Sequence, residues 1–149
     1  MADAIAPDDI LRACGYLEAV WKRDAASMAA LLEHGPAETS TPVLVTRLGD
    51  DIMQRLLPSR FGIHDGLPPQ ELQDAAAAMH ADPTVLVSKL FIETLKDIAP
   101  TASSAQSEHI ALAVLNYIVL VSDATPETVL PLLANLREST LQRMGRTGP

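Results

Sequence analysis

The apolar positions of residues 7–23, "PDDILRACGYLEAVWKR", follow a helical period: Ile10, Cys14, Leu17 and Trp21 fall three or four residues apart and share one face. Acids occupy the first turn of this segment and bases the last, as the helix dipole prefers. Thr41-Pro42, Asp82-Pro83 and Thr125-Pro126 each pair a capping oxygen with a proline suited to the first helical turn, so a helix is predicted to begin at each. The first two of these helices are expected to stop at Leu57-Pro58 and Ala99-Pro100, because a residue before proline is pushed out of the helical region. The third should end near Gly145. Each is preceded by a further helical segment. Asp24 caps "AASMAALLEHG", which Gly35 and Pro36 should end; "PQELQDAAAAMH" follows Pro68-Pro69; "SEHIALAVLNYIVLVS" leads to Thr125. The pattern therefore predicts an all-α chain of about seven helices: an N-terminal helix, then helical hairpins of roughly 40 residues, as a compact bundle or a short solenoid-like array.

Two segments resemble each other beyond their punctuation. Residues 43–59 set over residues 85–101 give identities at Val43/Val85, Leu44/Leu86, Val45/Val87, Leu48/Leu90 and Pro58/Pro100, with conservative pairs such as Thr46/Ser88 and Arg47/Lys89. An internal repeat with an offset of 42 residues would explain this, and so would the chance alignment of two amphipathic helices. A different pattern occupies "HIALAVLNYIVLV", residues 109–121, where Asn116 is the only polar residue after His109. The β-branched "YIVLV" alone would suit a strand, but no second strand of similar quality exists to pair with it, so helix is expected. Residues 110–121 would rise only roughly 18 Å, too short for a membrane span, and such an all-round apolar helix belongs in the centre of its domain. Asn116 then reads as a buried amide fixing register, with ligand binding as the other reading.

Composition narrows the classes. A chain of 149 residues is the size of one domain, expected over residues 1–144 with a short tail at 145–149. The net charge of −8 and the scatter of the Lys and Arg residues argue against nucleic acid, which needs clustered cations on its phosphates. The aromatics are too few and dispersed for base stacking. Cys14 is the one cysteine, so no internal disulfide can form, and its apolar neighbours suit a core thiol. Acids stand where a basic secretory leader would be, and a cytoplasmic location is expected. Abundant alanine and Arg in preference to Lys suit a bacterial, GC-rich source.

Motifs that carry chemistry are sparse. His34, His64, His80 and His109 lie far apart without metal-ligand spacing, and there is no phosphate loop or nucleophile elbow, so no catalytic residue, metal or cofactor is expected. The connector "PSRFGIHDGLPP", residues 58–69, is long and mixes apolar with polar residues. It supplies Arg60, Phe61, His64 and Asp65 as binding candidates beside Asn116; the plainer reading is a loop whose apolar members pin it and whose polar members face water. The expected function is a non-catalytic helical interaction module, a cytoplasmic adaptor or regulator holding a protein partner in an apolar groove. The alternative is a small-molecule binder or enzyme with a pocket between helices. A homodimer is also expected. With 48% apolar residues, "VLVSKLFI" (85–92) and "VLPLLANL" (129–136) are apolar on more than one face and should leave a patch uncovered in a monomer.

Overall fold

The computed structural model describes residues 5–122 and 124–147. They form seven α-helices and no strand: α1 (Pro7–Lys22), α2 (Ala25–Leu32), α3 (Thr41–Arg60), α4 (Pro69–Ala81), α5 (Pro83–Ile98), α6 (Ser104–Ser122) and α7 (Val129–Thr147). Short 3-10 turns at Ala99–Thr101 and Pro126–Thr128 lead into α6 and α7. The capping logic accounts for most starts. Asp24 accepts from the Ser27 N–H at 3.2 Å, Asp82 accepts from the Thr84 N–H at 2.8 Å, and Thr125 and Thr128 form a reciprocal box ahead of α7. At α3 the cap is Ser40, one residue earlier than expected, and Thr41 turns its hydroxyl to the Leu31 carbonyl, tying α3 to α2.

Several ends differ from the sequence reading. The helix α3 runs through Pro58 to Arg60 and stops two residues later at a glycine lock. Gly62, at φ 72°, donates to the Ser59 carbonyl, and the Ile63 N–H reaches the Pro58 carbonyl at 3.0 Å. That pair of bonds satisfies the final carbonyls, and glycine adopts the left-handed backbone without penalty. The α3–α4 connector is accordingly residues 61–68, shorter than expected. The same lock ends α1 with Arg23 at φ 58°, where the Asp24 N–H bonds to the Ala19 carbonyl at 2.9 Å. In α2 the helix stops at Leu32, ahead of Gly35. Arg12 takes over there: its guanidinium donates to the carbonyls of Leu31, Glu33 and Thr39 and to the Glu38 carboxylate, holding the connector against α1. Gly145 does not end α7, which continues to Thr147 across the expected boundary of the tail.

The bundle is built around α1, α3 and α6. The pairings of α3 with α6, α1 with α7 and α1 with α3 are the most extensive among the described residues, and Ile10, Leu17, Leu44, Leu48, Val114 and Leu115 fill the core. In an open solenoid each unit meets only its neighbours; here α1 meets α2, α3, α6 and α7, which makes the fold a compact bundle of hairpins. Glu18 and Arg137 pair at 2.9 Å across the α1–α7 contact. Gly49 explains why α3 and α6 approach so closely: a Cβ there would lie 3.2 Å from Cγ1 of Val114. A second, smaller apolar cluster joins Met53 and Leu57 of α3 to Val85 and Ile92 of α5 and Tyr117 of α6.

Cys14 sits fully buried in the main core. Burial pushes its thiol up to about 11, with the Glu18 carboxylate adding to the rise and Arg137 opposing it. This is the environment of an inert core thiol.

Candidate functional site, an apolar groove between α5 and α6

The helix α6 is nineteen residues long, about 28 Å, so the twelve-residue estimate is corrected: by length and composition alone it is long enough to cross a hydrocarbon core. It is also the helix on which α3 and α1 pack, and 44% of its most apolar window is buried. The rest forms an outward stripe, Leu112, Asn116 and Leu120, at four-residue intervals. Asn116 is therefore exposed, which corrects the expectation of a buried amide. An all-round apolar helix does not need covering on every side when its polar residue falls on the outer stripe.

The neighbouring wall is α5, whose covered face carries Val85, Ser88, Ile92 and Leu95. Glu93 and Asp97 decide that choice. They share the opposite face with Leu86 and Leu90, and turning that face inward would bury two carboxylates at a cost far above what two leucines return. Leu86, Val87 and Leu90 are left 54%, 64% and 68% exposed, and Leu120 across the gap is 77% exposed.

Between the two walls lies a groove of about 700 Å³. Thr84, Val87, Ser88 and Phe91 of α5 form one side, Ala113, Asn116, Tyr117 and Leu120 of α6 the other, and Leu57 and Arg60 at the end of α3 close the floor. Phe91 and Tyr117 hold the helices apart with their rings stacked, centroids 5.7 Å from each other. Arg60 donates to the Val121 carbonyl at 2.6 Å, anchoring the end of α3 to the end of α6. Burial pushes the Tyr117 phenol above its ordinary range, and the Ser88 hydroxyl beside it works in the other direction.

Of the residues singled out from sequence, the structure brings Arg60 and Asn116 to this groove and leaves the others outside it. Phe61 packs on the smaller apolar cluster. His64 and Asp65 are exposed in the connector, where the His64 Nδ1 accepts from the Gly66 N–H at 3.1 Å and shapes the turn. The apolar wall residues Val87, Phe91, Tyr117 and Leu120 were not separable from core positions by spacing alone. The signal that could have found them is the pairing of Leu86 and Leu90 with Glu93 and Asp97 on one helix face.

No histidine, cysteine or carboxylate lines the groove among the described residues. Nor do any three His, Cys, Asp or Glu side chains among them gather where a metal ion could be held. What the arrangement offers chemically is an apolar trough with amide and hydroxyl groups along its edge. Comparisons with protein-family models, curated proteins and solved structures found no match to this chain.

Proposed function

We propose that the protein is a non-catalytic helical interaction module, a cytoplasmic adaptor or regulator that holds a helix of a protein partner in the groove between α5 and α6. The observation that carries this reading is one open apolar trough whose walls include the exposed Val87 and Leu120. A monomer rarely leaves a contiguous apolar patch above a few hundred Å² without a use for it. Helix-in-groove recognition needs the features present here: an elongated apolar floor, walls formed by two helices, and polar groups at the rim to set orientation. A small ligand is served less well, since a small-molecule site buries about 70–90% of its occupant and this trough lies open along its length.

A photo-crosslinking residue at position 87, in the intact chain and in extract of the source cells, tests the reading. Protein adducts should form there well above those from the same residue at Gln73, an exposed position on α4, and should disappear with Leu120→Lys. Equal background at positions 87 and 73 would sink it.

A further inference from the structure

We infer that α4 is a detachable cover: it opens as a unit, with the rest of the bundle intact, and uncovers an apolar cleft between α3 and α5. The inference is independent of what fills the trough between α5 and α6.

Three observations carry it. The first is how little α4 buries. Its thirteen residues include no buried side chain; Ala75, Ala76 and Met79 are half-buried, and Leu72 stays 40% exposed. Met79 is the α4 residue that packs on the smaller apolar cluster, which holds Met53, Leu57 and Val85. The four consecutive alanines at 75–78 favour the helix itself but offer little surface for packing. A helix of this length is marginal in water without tertiary support, so shallow docking leaves α4 close to local unfolding.

The second observation is what stands behind it. A cleft of about 470 Å³ lies between the three helices, lined by Met53 and Leu57 of α3, Val85 and Lys89 of α5, and Met79 of α4. The cover thus rests on its support across a gap, and atoms that face a gap forgo the dispersion contacts of a packed seam. Met53, Leu57 and Val85 are nonetheless 4% exposed or less, so opening brings apolar surface to water that the closed helix keeps from it.

The third is the lack of a strap. The helix α2 likewise contains no buried residue, yet it is fastened: the Leu31 carbonyl accepts from Arg12 of α1 and from Thr41 of α3, and Met28, Leu31 and Leu32 pack on the main core. Among the described residues the side chains of α4 make one hydrogen bond, from Gln70 to Asp74 at 3.1 Å and internal to the helix, and no ion pair. Both ends suit the motion. On one side the 61–68 connector contains Gly62, whose backbone is free of neighbours within 4 Å of a Cβ, and each of its residues adds about 3.3 Å of reach. On the other, Asp82 is the single residue between α4 and α5. Its carboxylate caps α5 through the Thr84 N–H, which holds the start of α5 in place when α4 leaves.

Native-state hydrogen exchange on the full chain, read by mass spectrometry, tests this. The amides of residues 73–81 should exchange together, at least about a hundredfold faster than those of residues 44–57 and 88–95, with a weaker dependence on added urea, as sub-global opening requires. Peroxide supplies a second readout, because it oxidises the Met53 thioether when the cleft is uncovered. Ala77→Gly, at an exposed position in the middle of α4, loosens this helix alone. It should speed the exchange of residues 73–81 and the oxidation of Met53 by the same factor, about fivefold, and leave residues 44–57 unchanged.

Either of two results would overturn the inference. Exchange of residues 73–81 as slow as that of α3 and α5, and as sensitive to urea, would make α4 an integral part of the bundle. Faster exchange in Ala77→Gly without faster oxidation of Met53 would mean that α4 frays at its surface while the cleft stays covered.

Discussion

The helices α3 and α5 open with nearly the same residues, "VLVTRL" and "VLVSKL", and occupy opposite environments. Leu44, Val45 and Leu48 are fully buried, whereas the aligned Leu86, Val87 and Leu90 are more than half exposed. The difference lies downstream and around them. In α3 the next residue is Gly49, which lets α6 close onto the helix, and α1 covers another side. In α5 the aligned residue is Phe91, whose ring props α6 away and opens the trough. A central helix can bury several faces at once; an edge helix buries one, and in α5 the carboxylates of Glu93 and Asp97 decide which. Similar local sequence therefore specifies helix in both places and burial in neither.

The contrast breaks most easily at Leu48 and Leu90. Leu48→Ala should cost ~2–5 kcal/mol by urea denaturation, the scale of a core truncation, and Leu90→Ala less than ~0.5 kcal/mol. Equal losses would mean that the exposure of α5 is wrong. Cys14, in the same core as Leu48, adds a second readout. With its thiol pushed up to about 11, alkylation at pH 8 should be slow in the native chain, faster in Leu48→Ala and unchanged in Leu90→Ala. The sign of the linked pH effect follows from the raised folded value. Stability is fully present below the ordinary thiol value of 9.0 and falls as pH climbs from there toward 11, which denaturation midpoints across that range would show.

Gly49 and Phe91 sharpen the comparison. Gly49→Leu should cost ~1–3 kcal/mol or more, because a Cβ there already crowds Val114 at 3.2 Å and touches Ile92 at 3.5 Å. Phe91→Leu, a milder change on a half-buried wall, should cost less than ~1.5 kcal/mol. Thermal melts of the two variants rank them, and the reverse order would contradict the account of why one helix pair is tight and the other open.

Helix starts come next. Asp82→Ala should cost ~1 kcal/mol because it removes the bond to the Thr84 N–H, whereas Ser40→Ala should cost only a few tenths, since Ser40 makes no side-chain cap bond. Smallest is the strap between the helices, the ion pair of Lys96 on α5 with Asp50 on α3, partly open to solvent. A double-mutant cycle of Lys96→Met and Asp50→Asn should give a coupling of about 0.2–0.3 kcal/mol that shrinks in high salt; no coupling would show the strap to be idle.

The elements themselves were legible from sequence because caps and prolines act locally. Asp24 and Asp82 mark helix starts within a residue, Thr125 marks the 3-10 turn that leads into α7 at Val129, and the all-α bundle of hairpins follows from their order. Pro58 misled as a stop. One proline near a helix end removes one bond, and the chain held its helical path until Gly62 supplied the left-handed turn. Burial was the harder quantity. Asn116 lies on the outer stripe of α6 because α3 and α1 cover the other faces, and the period of α6 alone, apolar all round, could not say which side stayed open. Of the two segments expected to leave an apolar patch, 85–92 exposes Leu86, Val87 and Leu90, while in 129–136 Val129 and Leu133 are buried in the main core and Leu132 is left at 37%.

The packing of α7 on α1 carries a cost that arises during synthesis. Glu18 and Arg137 are 119 residues apart, and at ordinary elongation of ~5–20 residues per second roughly ten seconds pass between them. Throughout that interval α1 waits on the ribosome for the face that α7 will supply, with α2 and α3 as its first cover. The order of emergence thus makes the last helix the one that completes the first, and a nascent chain stalled before residue 129 presents an uncovered apolar stripe to whatever chaperone meets it.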